Sequence, residues 1–221
     1  MLEREGFVLV DDFLSTGQLA AVFDDLNGTD IPLARGGIRN IEKKYPSIAR
    51  LVRSQHVLGK ANQYLPDAPK FVRAILFDKT PENNWLVAWH QDRTVSVSDK
   101  FEDGSWGPWS VKDAVQHVQP PIEVLEQMVT IRIHLDASTT KNGCLRVLPG
   151  SHLNGILSQT EINNLTSHNH EVFDCEARAG SALIMRPHLL HSSSKASEPT
   201  KRRVLHLEFC SYALPNGIFW A

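Results

Sequence analysis

The feature that most constrains this chain is a change in apolar period near residue 70. Before it, apolar residues recur at helical spacing; after it, they alternate. Gly6-Phe7-Val8-Leu9-Val10 reads as a short strand, and Ser15-Thr16-Gly17-Gln18 has the form of a capping box. Leu19, Val22, Phe23 and Leu26 then mark one helical face until Asn27-Gly28. Residues 28–45 read as loop. A second helical region is expected from about Pro46 to Leu65, with Ile48, Leu51, Val52, Leu58 and Ala61 as its buried stripe. From Lys70 the period is two: Val72, Ala74 and Leu76 alternate with Arg73, Ile75, Phe77 and Lys79. Met128 to Leu135, Glu171 to Glu176, Gly180 to Met185 and Arg202 to Phe209 also read as strands, with a short helix near 158–166. Helices first and strands afterwards predict a mainly β fold, a sandwich buttressed by N-terminal helices.

One apolar run, Trp85 to Trp89, ends in His90-Gln91-Asp92. In a strand, residues i and i+2 point to the same side, so His90 and Asp92 can hold one ion while Gln91 points away. His191, in Pro187-His188-Leu189-Leu190-His191-Ser192-Ser193, must come from a different strand, which a barrel or sandwich can place opposite. Two histidines and a carboxylate are the facial ligand set of mononuclear non-haem iron(II) oxygenases and leave other positions open. His-x-Asp alone is a weak signal. Arg202 strengthens it, lying where a returning strand brings a cation back to the metal. His188 is a rival to His191 as the third ligand.

Composition narrows the partners. With Lys+Arg 23 against Asp+Glu 25, the net charge of −2 gives no footprint for nucleic acid or an anionic membrane. Cys144, Cys175 and Cys210 form no C-x-x-C pair, which argues against a disulfide scaffold or structural zinc and for a reducing compartment. The N-terminus is too polar for a signal peptide, and no apolar run approaches a ~20-residue span, so a cytoplasmic location is expected. Residues 98–121, rich in Gly, Pro and Trp, read as a long excursion and a possible lid. Trp106 and Trp109 either close that lid or anchor the loop on the core. His117 either meets substrate or is solvated. His152 reads as part of a turn. Thr130, Arg132 and His134 share a strand face that is either exposed or lines a cavity.

Trp89-His90-Gln91-Asp92, the stretch Asn142-Gly143-Cys144-Leu145-Arg146-Val147-Leu148-Pro149-Gly150-Ser151-His152, and Gly180 to Met185 leading to His191 and Arg202 together resemble the phytanoyl-CoA dioxygenase family of iron(II)/2-oxoglutarate oxygenases. The opening Gly6 to Val10 is similar too, so the resemblance covers nearly the whole chain. It implies a double-stranded β-helix, a jelly-roll or cupin-like core, at about 70–212, with helices at about 15–65 and the whole of 1–221 as one domain. It implies His90, Asp92 and His191 as iron ligands. Arg202, helped by Ser193, would hold the distal carboxylate of 2-oxoglutarate, since a guanidinium offers a planar fork. Arg203 falls on the opposite strand face. Lys79 and Arg73 either reach the co-substrate or lie at a solvated edge. The activity implied is hydroxylation of a small molecule with O2, releasing succinate and CO2. Family halogenases lack the carboxylate that Asp92 supplies; desaturation or ring formation stays open. The chain is short for a CoA thioester. A cupin-like metalloenzyme with a non-oxidative reaction and a catalytically silent binding protein are the alternatives.

Overall fold

The computed structural model describes residues 1–28, 37–167 and 171–221, so residues 29–36 of the expected loop at 28–45 lie outside the described residues, and its second half instead holds a short strand, Ile38–Arg39, and a 3-10 turn, Ile41–Lys43. The elements run α1 (Leu2–Glu5), β1 (Phe7–Val10), α2 (Thr16–Asn27), β2 (Ile38–Arg39), α3 (Pro46–Val52), α4 (Gln55–Asn62), β3 (Lys70–Lys79), β4 (Val87–His90), β5 (Val95–Val97), β6 (Trp109–Lys112) and β7 (Val115–Val118). They continue with α5 (Ile122–Glu126), β8 (Met128–His134), β9 (Leu145–Val147), α6 (Gln159–Ser167), β10 (Phe173–Cys175), β11 (Ala182–Met185), β12 (His191–Ser193) and β13 (Arg202–Cys210). The larger sheet has the order β1-β11-β8-β13-β3-β2, and the smaller β10-β9-β12-β4; β5-β7-β6 form a third. Every strand pair is antiparallel. The first two sheets face each other as a double-stranded β-helix.

The α2 helix begins as its sequence dictates. Ser15 Oγ accepts from the Gln18 N–H, while the Gln18 side chain accepts from the Ser15 N–H. The second helical region breaks in two at Arg53-Ser54. Ser54 caps α4 by accepting from the Val57 N–H at 3.2 Å, and its hydroxyl donates to the Leu51 carbonyl at 2.7 Å. A serine that satisfies both ends at once favours a corner over a continuous helix. Val22 and Leu26 of α2, Ile48 and Val52 of α3, and Val57 and Ala61 of α4 pack on Leu76, Ile131, Ile133, Leu205, Leu207 and Phe209 of the larger sheet. Burying one such Leu, Ile or Phe side chain stabilises by roughly 1.5–3 kcal/mol.

The opposite face of that sheet is charged. Alternation turns Arg73, Ile75, Phe77 and Lys79 of β3 inward, with Thr130, Arg132 and His134 of β8 and Arg202, Val204, His206 and Glu208 of β13. The register sets them in rows: Lys79 beside Arg202; Phe77, Val204 and His134; Ile75, His206 and Arg132; then Arg73, Glu208 and Thr130. Thr130, Arg132 and His134 are all buried, so the exposed option falls, and of the three Arg132 lines a cavity.

The excursion at 98–121 is not structureless. Its second half is the β6–β7 hairpin, turning at Asp113 and Ala114, both in the left-handed region. Trp106 is buried against Phe101 and Tyr212, and Trp109 meets Phe101 edge-on. The tryptophans anchor the segment on a second apolar cluster.

Candidate metal centre

Strand β4 stops at His90, and Asp92 lies just beyond the ladder. Its N–H donates to the Pro187 carbonyl at 2.9 Å, on the segment that leads into β12. His90 and His191 stand opposite each other in the β4–β12 pair. Gln91 points the other way and locks the turn. Its amide donates to the carbonyls of Gly155 and His188, both at 2.7 Å, and accepts from the Leu157 N–H at 2.8 Å. His90, Asp92 and His191 each bring a ligand atom within 4.8 Å of the other two.

The proton positions follow from the hydrogen bonds. Nδ1 of His90 lies 2.8 Å from the Ala88 carbonyl, and Nδ1 of His191 lies 2.8 Å from the Leu189 carbonyl. A carbonyl only accepts, so each Nδ1 carries the proton and each Nε2 presents a lone pair. Those lone pairs face the Asp92 oxygens at 3.7 Å and 3.5 Å. Lone pairs against a carboxylate repel unless a cation stands between them, so the donor set fits a divalent metal. Burial pushes the His191 imidazole down to about 3, which keeps it neutral. Burial works to raise the Asp92 carboxyl, and positive charge at the site, Arg73 among it, works to lower it.

A cavity of about 70 Å³ opens on this cluster, walled by Phe77, Lys79, Trp85, Val87, Arg132, Leu145, Ser193 and Arg202. Arg202 is 3 % exposed, and its Nε is buried with no hydrogen-bond partner among the described residues. Burial, then the neighbouring Arg132, lowers its pKa to about 10, so the guanidinium stays charged. Lys79 Nζ donates to Ser193 Oγ and to the Ser194 carbonyl, both at 2.8 Å. Ser193 Oγ donates in turn to the Gly143 carbonyl at 2.9 Å. Gly143 has a φ of +79°, and a Cβ there would come within 2.7 Å of the Ser194 carbonyl oxygen, so glycine is required. A guanidinium whose Nε has no partner among the described residues and an ammonium thus stand beside the ligand cluster, and two such cations fit a carboxylate-bearing ligand.

The family model for Phytanoyl-CoA dioxygenase (PhyH) matches residues 2–204. The chain belongs to the phytanoyl-CoA dioxygenase family. Phytanoyl-CoA dioxygenase 1 of Oryza sativa subsp. japonica is 29% identical over 98 residues, 38% of this chain and 35% of that relative, so the match spans about a third of the relative's length. Among solved structures, EctD from S. alaskensis with 2-oxoglutarate and 5-hydroxyectoine superposes with a TM-score of 0.70 at 20% identity, covering 95% of this chain and 73% of that one. HygX from Streptomyces hygroscopicus, with nickel, 2-oxoglutarate and hygromycin B bound, gives 0.68 at 15% identity, covering 95% and 84%. These likenesses establish that this family member has the fold of the iron- and 2-oxoglutarate-dependent oxygenases.

Other residues singled out in the sequence sort clearly within this fold. Arg73 does not line the cavity. It pairs with Glu208 at 2.8 Å, donates to the Thr94 carbonyl at 2.9 Å and reaches His117 Nδ1 at 3.2 Å. Neither a co-substrate contact nor a solvated edge describes it, because the hairpin and β13 enclose it. His117 is 2 % exposed on β7, not solvated; burial, then Arg73, lowers its pKa to about 4. Arg203 turns to the helical side and forks onto Asp136, with Nε at 2.8 Å and Nη2 at 3.0 Å. His152 donates to the Glu3 carbonyl and tethers the N-terminus, in keeping with its turn. His188 lies against His152, outside the cluster. His206 and Glu208 were missed. Their signal was parity: both share a strand face with Arg202.

Proposed function

We propose that this chain is an iron(II)- and 2-oxoglutarate-dependent oxygenase that hydroxylates a small molecule with O2, releasing succinate and CO2. The observation that carries the reading is Arg202, a buried guanidinium whose Nε has no hydrogen-bond partner among the described residues, on the same cavity as two unprotonated Nε2 atoms facing Asp92. His90, Asp92 and His191 would hold the metal, leaving the remaining positions for co-substrate and O2. When bound, iron with 2-oxoglutarate and O2 supplies the oxidising chemistry.

The chain's own residues bind, orient and exclude. Arg202 takes the distal carboxylate through its fork, and Lys79 adds its third N–H. Ser193 fixes where that ammonium sits. Phe77, Trp85, Val87 and Leu145 make apolar walls that keep water from competing for these cations. Asp92 supports hydroxylation over halogenation, because it fills the position a halide needs. The net charge of −2 supports a small-molecule substrate over a polyanion. Three buried free thiols support a reducing compartment such as the cytoplasm.

The test is an anaerobic titration of metal-free protein with iron(II) and then 2-oxoglutarate. The expected result is the visible charge-transfer band of a chelated 2-oxo acid, lost in Asp92→Ala. Iron binding without the band would move the chain to the cupin-like, non-oxidative class. No metal binding would make it a silent member of the fold.

A further inference from the structure

Asp92 has three imidazoles around it, and the third is arranged unlike the other two. His206 on β13 places Nε2 3.9 Å from Asp92 Oδ2. Its Nδ1 lies 2.8 Å from Arg132 Nη1. A guanidinium only donates, so Nδ1 accepts and the ring proton must sit on Nε2. That N–H points at Glu208 Oε1, 3.0 Å away, with the Asp92 carboxylate just beyond. Glu208 is clamped from its far side by Arg73 at 2.8 Å. His90 and His191 therefore offer lone pairs to Asp92, and His206 offers a proton.

Asp92 lacks such a proton. Among the described residues its carboxylate accepts no hydrogen bond; the His206 Nε2–H is the donor that faces it. The gap of 3.9 Å is beyond hydrogen-bond reach, so contact requires Asp92 to turn toward β13. The arrangement behind His206 is costly, since Arg73, Arg132, His206 and Glu208 are all buried. Well-packed apolar residues in place of buried ions are often neutral or stabilising. Stability alone does not account for the network.

We propose that His206 is a positioning residue of the metal centre and not a fourth ligand. Arg132 fixes its tautomer, Glu208 accepts its Nε2–H and fixes its ring, and sharing of that one N–H with Asp92 as a three-centre bond holds the carboxylate in the orientation that a metal needs. The inference rests on the metal reading above. Partners of ligating side chains typically change metal affinity by about 10–100-fold when removed.

The test uses cobalt(II) added to the metal-free protein, read by its visible ligand-field bands, with His206→Asn and His206→Gln. A glutamine amide nitrogen stands near the place of Nε2. An asparagine amide stands near Nδ1, so it can still partner Arg132 but offers no donor to Asp92. His206→Asn should weaken cobalt by about 10–100-fold. His206→Gln should recover most of the loss, and the coordination number read from the bands should stay the same in all three proteins. Thermal unfolding of the metal-free forms verifies that each is folded; should His206→Asn not fold, Glu208→Gln, which loosens the ring, should weaken cobalt in the same direction. Wild-type affinity in His206→Asn, equal weakening in Asn and Gln, or a drop in coordination number would each overturn the proposal. A wild-type protein that binds no cobalt would instead bring down the metal reading itself.

Discussion

Arg202 and Arg203 are adjacent in sequence, yet the two faces of β13 treat them oppositely. Arg203 points to the helices, forks onto Asp136 and lies over the Phe23 ring at 4.4 Å. Arg202 points into the barrel, equally buried, with its Nε unpartnered among the described residues. The same contrast runs along the strand: Leu205, Leu207 and Phe209 join the apolar core, while His206 and Glu208 join a buried charged network. The outer face gives its arginine a carboxylate on the chain itself, and only Nη1 of Arg203 stays without a hydrogen-bond partner among the described residues. The inner face leaves demands open, and an open demand in a closed cavity marks where a ligand belongs.

The largest effect expected is on the inner face. Asp92→Ala should abolish iron binding and bring 2-oxoglutarate turnover to background, while the metal-free melting temperature does not fall; activity surviving in that variant would refute the ligand assignment. The matching cut on the outer face is Leu207→Ala. It should cost about 2–5 kcal/mol in denaturant titration, because the cavity left among α2–α4 and the sheet cannot fully collapse. Protein that remains folded should bind metal as before.

The arginine pair sharpens the contrast. Arg202→Met should weaken 2-oxoglutarate by about 10–100-fold, from the ~1.5–3 kcal/mol of a charge-assisted contact. Its stability should hold or rise, since an unpaired buried charge has gone. Arg203→Met should leave 2-oxoglutarate affinity alone and cost about 2 kcal/mol of stability. That is below the ~3–5 kcal/mol of a fully buried broken pair, because Asp136 remains 22 % exposed. Calorimetric titration and thermal melts on both variants separate the two outcomes; the same defect in both would erase the distinction between the faces.

Much of this was legible in the residues because two periodicities carry it. Alternation from Lys70 onward separates Arg202 from Arg203 without any knowledge of topology, whereas Asp92 reaches His90 from just beyond the end of β4, held by its N–H on the Pro187 carbonyl. The corner at Ser54 was not legible, since the apolar stripe of α3 continues through α4 and only a single capping serine marks the break. The β6–β7 hairpin escaped because Trp109, Val111, Val115 and Gln116 show no sustained alternation, and its turn uses Asp113 and Ala114 instead of glycine. Arg73 and His117 were misjudged for one reason. They are twenty or more residues from Thr94 and from each other; register brings Arg73 to Glu208, and the third sheet brings His117 to Arg73. His206 was visible by parity, but which nitrogen bears its proton depends on Arg132, a contact made only by the β8–β13 pairing.

The smallest effect expected is on pH dependence, and it divides the inner face further. Burial, then the nearby Arg202, lowers the Lys79 pKa to about 8. Below that pH the ammonium is charged and ready for an anion. Above it the free protein loses the charge, so the dissociation constant for 2-oxoglutarate should rise with pH. The rise cannot exceed about tenfold per pH unit, the limit for one linked proton. It should level off once pH passes the higher pKa that the bound carboxylate imposes on Lys79. Lys79→Met should bind more weakly near neutrality and show no break near pH 8; a break that persists there belongs to another group. Arg202→Met should shift the break upward, because a cation that disfavours charged Lys79 has been removed. Arg203→Met, acting from the other face of β13, should leave the break where it is. A break that moves equally in both arginine variants would mean that charge on the two faces is felt alike in the cavity, and that Arg202 acts on Lys79 through the fold instead of across the site.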